Sequence, residues 1–301
     1  MSLATRPGGA LKDSAPRWLK DAADRTTRAY GLATSPWRPA PDFLVIGTKR
    51  GGTTSMFDYL LQHPGLLGLY PQVRGKKSTD YFFKQAHRGE RWYRSHFHAR
   101  PYRAVVGARL GHAPLGGEAS PYYLWDPRIA GAVRRVAPGV RSIVLLRDPV
   151  KRAWSHYQER VENGVEPLGF ADALDAEEDR TAGELERMAA DPTYYSTAHD
   201  WYSYRARGVY LPQLRNWLAA FPPEQLLVLR SEDLYADPQA VLDRTCDFLG
   251  VPPARLARTG GLNASRRSDP VPARERDLLA RYFAPHNAEL ERFLGRRLGW
   301  T

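Results

Sequence analysis

Phe43-Leu-Val-Ile-Gly-Thr-Lys-Arg-Gly-Gly-Thr-Thr-Ser55 is the stretch whose reading decides the fold. Four apolar residues in a row, Phe43 to Ile46, predict a short buried strand. A glycine-rich turn follows, and then Phe57, Leu60 and Leu61 recur at the i, i+3, i+4 spacing of an amphipathic helix. Strand, glycine loop and helix in that order make a cradle for a phosphate-like anion, because loop N–H groups and the helix N-terminus converge on one point. The candidate contacts are Lys49, Arg50, Gly51, Gly52, Thr53, Thr54 and Ser55. Gly47 and Gly52 have the spacing of a Walker loop, but Thr53 stands where its lysine would be, and the cations Lys49 and Arg50 lie inside the loop. Without that lysine the β- and γ-phosphates of a nucleoside triphosphate lose their usual partner, so an ordinary kinase or ATPase is disfavoured.

Outward from this unit, Val140 to Arg147 is nearly all apolar at its centre, as a parallel strand covered on both faces should be. It runs into Arg147-Asp-Pro149 and then a helix carrying Trp154, Tyr157 and Val161 on one face. Arg147 offers a bidentate fork and Ser155 a hydroxyl to a second phosphate, with a helix N-terminus beneath them. Leu226–Arg230 predicts another strand, and Pro127–Val136, Tyr210–Phe221 and Pro238–Leu249 predict helices. A further strand is expected at Ala104–Ala108. The alternation of short apolar strands with helices indicates an α/β class: a P-loop-type doubly wound parallel sheet flanked by helices, in a single domain. Residues 1–40, basic and proline-containing around a helix at Arg17–Tyr30, read as an N-terminal arm to a domain at 41–301. Residues 162–207, polar and aromatic with no strand pattern, read as an excursion over the sheet.

The bulk numbers narrow the class without naming an activity. A chain of 301 residues with 43% hydrophobic and 26% charged residues is ordinary for a globular protein. No apolar run approaches the ~18 residues of a membrane-spanning helix, and the N-terminus lacks an apolar signal core. One cysteine, Cys246, excludes an intrachain disulfide framework and falls in an apolar helical pattern. A cytoplasmic protein is therefore expected. The formal net charge of +11 suits an anionic partner, such as a nucleotide, a sulfated or phosphorylated acceptor, or nucleic acid.

Taken together, the Gly-Thr-Thr-Ser loop and Leu145-Leu-Arg-Asp-Pro-Val-Lys-Arg-Ala-Trp-Ser-His-Tyr157 resemble the 5′-phosphosulfate and 3′-phosphate segments of sulfotransferases that use 3′-phosphoadenosine 5′-phosphosulfate (PAPS). The similarity extends over about residues 42–295. Arg91-Trp-Tyr-Arg94 and Glu118-Ala-Ser-Pro-Tyr-Tyr123 look like the carbohydrate, heparan-sulfate type branch, here in a bacterial-like form without a membrane segment. The resemblance implies PAPS as donor, 3′-phosphoadenosine 5′-phosphate as product, and no metal. It implies cofactor contacts at Arg147 and Ser155, and at Arg266 or Arg267 in a basic loop near the C-terminus.

The match departs at the reacting centre. The family's catalytic lysine aligns with Arg50, one residue after Lys49. A guanidinium stabilises negative charge but holds its proton too tightly to give it up, so either Arg50 acts electrostatically or Lys49 or Lys77 supplies the proton. The branch's Lys-Glu-x-His-Phe-Phe pattern reads here Lys77-Ser-Thr-Asp-Tyr-Phe82, with Ser78 in place of the glutamate base. Asp80 is then a candidate base, with Glu118 and His156 in reserve. The implied activity is sulfuryl transfer to a hydroxyl or amine of a carbohydrate or other small molecule. Tyr194, Tyr195, Trp201, Tyr202 and Tyr204 of the excursion either stack on the acceptor or, the reading slightly favoured, fill a core beneath the long loop, and neither nucleic acid nor membrane is expected as partner. The alternatives are a P-loop nucleotide kinase, a non-enzymatic polyanion-binding protein, and a nucleotide-binding relative unable to turn over.

Overall fold

Phe43–Gly47 (β1) forms the centre of a five-stranded parallel sheet in the computed structural model, which describes residues 17–72, 76–260 and 269–300. The other strands are Leu66–Leu67 (β2), Leu115–Ala119 (β3), Arg141–Leu146 (β4) and Leu226–Arg230 (β5), in the order β2-β3-β1-β4-β5. Helices connect them in the α/β manner that the sequence implied. In chain order these are Arg17–Ala33 (α1), Thr53–Leu60 (α2), Gly89–Arg94 (α3), Arg100–Leu110 (α4), Ile129–Val136 (α5) and Pro149–Glu162 (α6). Short helices Phe170–Asp175 (α7), Glu177–Thr181 (α8), Glu184–Ala190 (α9) and Thr197–Trp201 (α10) make up the excursion. Tyr210–Ala220 (α11), Ser231–Ala236 (α12), Pro238–Leu249 (α13) and Ala273–Leu294 (α14) complete the described chain.

Side chains alternate across a strand, so the two apolar central strands feed two separate cores. Leu44, Ile46, Val144 and Leu146 pack with Val133, Leu214, Trp217 and Leu290 on one face. Phe43, Val45, Ile143 and Leu145 pack with Met56, Leu60, Leu242 and Cys246 on the other. The N-terminal helix α1 is tied down by Arg28, whose guanidinium donates to the Ser95 carbonyl and hydroxyl at 2.9 Å.

One expected strand is corrected. Ala104–Ala108 lies within α4, which opens with a proline in its first turn and closes on Gly111 in the left-handed region, a start and stop that suit a helix. The strand at that place in the order is β3, with two glycines and no apolar run. Its register explains the composition: Gly117 pairs with Phe43, and a Cβ there would lie 2.5 Å from the Phe43 carbonyl oxygen. No described helix is long and apolar enough to cross a membrane.

Candidate active site

β1 and β4 lie side by side, and the order reverses between them, so their following loops open into one crevice at the carboxyl edge of the sheet. The loop after β1 is pinned to the end of β4. Thr48 N–H donates to the Leu145 carbonyl at 2.8 Å, and Gly51 N–H turns back to the Thr48 carbonyl at 2.9 Å. Gly51 has no room for a side chain, since a Cβ would sit 2.8 Å from both the Leu145 carbonyl oxygen and Thr48 Cγ2. Ser231 Oγ donates to the Gly51 carbonyl at 2.7 Å and lies 3.0 Å from the Leu146 carbonyl, anchoring the same loop from α12.

Arg50 joins the β1 loop to the β4–α6 turn. Its backbone is left-handed, with φ of 67°, a conformation that costs a non-glycine residue on the order of 1 kcal/mol and is found at functional turns. In that conformation its carbonyl accepts from Arg147 Nη1 at 2.8 Å while its Nε donates to Ser155 Oγ at 3.0 Å. Arg147, Ser155 and the β1 loop, read from stretches about a hundred residues apart, thus meet. The α6 N-terminus beneath them is capped by Asp148, whose carboxylate accepts from Val150 N–H at 2.9 Å and Lys151 N–H at 3.4 Å, with Pro149 opening the helix.

Lys77 arrives from the other side. Its Nζ donates to Thr54 Oγ1 at 2.6 Å and lies 3.2 Å from Thr53 Oγ1, on the first turn of α2. A lysine is therefore restored to the helix N-terminus from outside the loop that lacks it. Burial, with Arg50 nearby, lowers the Lys77 ammonium to about 8, against the opposing pull of Glu159 and Asp80. Lys49 is lowered to about 8 as well, chiefly by burial, against Asp200 and Glu159. Lys49 Nζ lies 3.7 Å from Glu159 and 3.8 Å from Asp200, and Arg50 Nη1 lies 3.8 Å from Glu159.

The candidate bases separate in space. Asp80, with φ of 55°, accepts from Ser78 Oγ at 2.6 Å while its own N–H donates to that hydroxyl at 3.0 Å; it is half-buried near Lys77. Glu118 is fully buried and accepts from Thr79 N–H at 2.7 Å, Tyr93 OH at 2.9 Å and Tyr123 OH at 2.8 Å. It clamps the 77–80 segment to β3 rather than facing the crevice. His156 is also fully buried, edge-on to Tyr204 at 5.0 Å, and burial among cations pushes its imidazole well below the ordinary range. Ser55 is buried in the first turn of α2, while Arg266 and Arg267 lie outside the described residues. Of the excursion's aromatics, Tyr204 is buried with its hydroxyl on Glu166 at 2.8 Å, and Tyr195 packs on Phe83 and Tyr122.

Three site residues had not been singled out in the sequence: Ser231, Glu159 and Asp200. Glu159 lies four residues after Ser155, hence on the same helix face, a spacing that could have flagged it. Asp200 has no local signature. It sits on α10 and accepts from Tyr195 OH at 2.6 Å and Arg207 Nη1 at 3.0 Å. Burial alone would raise its carboxyl, but Arg207 and Lys49 hold it at about 2. Among the described residues, no three His, Cys, Asp or Glu side chains are grouped as metal ligands. The crevice is thus a cationic cradle of loop amides, hydroxyls, Lys49, Arg50, Lys77 and Arg147, edged by carboxylates, and it suits an anion that changes charge during reaction.

Known proteins share this arrangement of sequence and fold. The family described as "Sulfotransferase domain" matches residues 133–262, which include Arg147 and Ser155. A crystal structure of a sulfotransferase from Alicyclobacillus acidocaldarius superposes with a TM-score of 0.61 at 29% identity, covering 86% of this chain and 97% of that one. The membrane-associated sulfotransferase kil1 of Dictyostelium discoideum is 26% identical over 86% of this chain and 66% of its own. The bifunctional heparan sulfate N-deacetylase/N-sulfotransferase 3 of Homo sapiens is 25% identical over 93% of this chain and 32% of its own. The chain thus spans about two thirds of the first relative's length and about a third of the second's. With the β1 loop, the β4–α6 turn and this fold in one molecule, the chain is similar to sulfotransferases in both sequence and fold.

Proposed function

We propose that the protein transfers the sulfuryl group of PAPS to a hydroxyl or amine of a carbohydrate or other small-molecule acceptor. The observation that carries this reading is the joint at Arg50, which brings the β1 loop against Arg147 and Ser155. In this reading the loop N–H groups, Thr53 and Thr54 hold the 5′-phosphosulfate, while Arg147 and Ser155 hold the 3′-phosphate. Lys77 and Arg50 stabilise charge on the departing phosphate, and Lys77 is the one of the two able to hand over a proton. The heparan sulfate enzymes among the relatives support a carbohydrate acceptor.

The test is thermal unfolding with 3′-phosphoadenosine 5′-phosphate beside ATP with magnesium. At a hundred times its Kd a ligand of the folded state contributes about 2.7 kcal/mol, a rise in Tm of about 5 °C for a chain of this size. The bisphosphate should give this shift and ATP should not. Stabilisation by ATP alone would return the protein to the kinases.

A pH dependence follows from the two depressed lysines. Both ammonium groups are lowered to about 8 in the free protein, and a bound polyanion beside them raises both. The bound state then holds more protons than the free state, so affinity for the bisphosphate falls as pH rises through about 8. Calorimetry at pH 8 in buffers of different ionisation enthalpy should show uptake of about one proton in total. Equal affinity at pH 7 and pH 9 with no proton uptake would remove Lys49 and Lys77 from the anion site.

A further inference from the structure

Sulfuryl transfer to a hydroxyl needs a carboxylate or similar base beside the reacting atoms, and Ser78 stands where the resemblance implied one. Three carboxylates border the cationic cradle, and the structure distinguishes them. Asp80 is engaged by the Ser78 hydroxyl at 2.6 Å. Asp200 takes hydrogen bonds from Tyr195 and Arg207. Glu159 differs from both. Its contacts are ionic and long: 3.7 Å to Lys49, 3.8 Å to Arg50 and 3.4 Å to Arg160. Among the described residues none donates a hydrogen bond to its Oε2, which is buried, although the side chain as a whole is 26% exposed.

Its position is built by the fold. Ser155, one helical turn earlier on α6, receives Arg50 Nε, so the same helix face that meets the loop also presents Glu159. From there Glu159 reaches both loop cations, and after burial its charge is the largest influence on Lys77. Lys49 is the neighbour it shares with Asp200 of the excursion, at 3.7 and 3.8 Å.

We propose that Glu159 is the general base of the reaction, taking the proton from the acceptor hydroxyl or amine. The assignment rests on the sulfuryl-transfer reading. As Glu159 accepts the proton, the acceptor oxygen or nitrogen forms a bond to the sulfur of PAPS. The bond between that sulfur and the 5′-phosphate oxygen breaks, and its electron pair leaves with 3′-phosphoadenosine 5′-phosphate. The charge that develops there is met by Lys77 and Arg50, and Glu159 afterwards releases the proton to water.

The experiment compares wild type, Glu159→Gln and Glu159→Ala. It measures release of 3′-phosphoadenosine 5′-phosphate from PAPS with a glucosamine-containing oligosaccharide present and with water as sole acceptor. Bisphosphate affinity is measured alongside. Loss of a general base predicts that Glu159→Gln slows turnover by roughly 100-fold or more while bisphosphate affinity does not fall, since the carboxylate removed is itself an anion beside the loop cations. Added formate should restore part of the activity of Glu159→Ala, a response that a merely structural carboxylate would not give. A Gln variant within about threefold of wild type overturns the assignment, as does a loss of turnover matched by an equal loss of bisphosphate affinity. A wild-type protein that neither binds the bisphosphate nor consumes PAPS removes the sulfuryl-transfer reading and this assignment with it. Bisphosphate binding with a fully active Gln variant removes only the assignment of Glu159.

Discussion

Lys77→Met is expected to lower turnover by roughly 10²–10³-fold, the range seen when one preorganised donor is removed from a developing negative charge. The ammonium sits on the Thr53 and Thr54 hydroxyls at the N-terminus of α2, where the proposed function puts the phosphosulfate against the helix dipole. Methionine keeps the length of the stem and removes the charge, so the packing that lowers the ammonium to about 8 is largely retained. The effect should fall more on turnover than on bisphosphate affinity, because charge on the leaving oxygen grows only in the transition state. Lys77→Arg should recover part of the loss, as it returns charge without a transferable proton. Steady-state kinetics and bisphosphate affinity measured on the same preparations decide the matter. Equal losses in both would reduce Lys77 to a ground-state contact.

The comparison of Lys77 with Arg50 shows what the sequence could and could not reveal. Contiguous patterns were legible: the apolar run of β1 before its glycine loop, the buried run of β4 before Arg147-Asp-Pro149, and the helix that follows each. These rest on local periodicity and turn chemistry, which are properties of short stretches. β3 was not legible, because a strand packed against Phe43 at its backbone carries glycine where a strand pattern would carry valine. The long-range pairings were not legible either. Nothing local to residue 77 says that its side chain reaches Thr54, and nothing local to residue 200 says that α10 folds back to Lys49. Glu118 shows the reverse case. As a carboxylate in a motif-like stretch it was a candidate base, yet its three donors in the core hold a different part of the site in place.

Glu118→Ala is expected to destabilise the protein by about 3–5 kcal/mol, the range for breaking a buried hydrogen-bond network. Three buried donors lose their acceptor together: Thr79 N–H, Tyr93 OH and Tyr123 OH. Each unsatisfied group costs about 1–3 kcal/mol, and truncation also leaves a cavity under the aromatic cluster of Tyr81, Tyr93 and Phe97. Glu118→Gln should lose less, since its amide keeps a carbonyl acceptor and the shape of the side chain. The damage reaches the cradle through the chain itself. Ala119 N–H donates to the Lys77 carbonyl at 2.7 Å, so the pairing that Glu118 secures on one side carries Lys77 on the other. Urea unfolding followed by tyrosine and tryptophan fluorescence measures the first effect, and turnover of the folded fraction measures the second. A loss of stability below about 1 kcal/mol would mean that water enters and satisfies the three donors. The 77–80 segment would then be held by its backbone pairing, and Glu118 would be dispensable to the placement of Lys77.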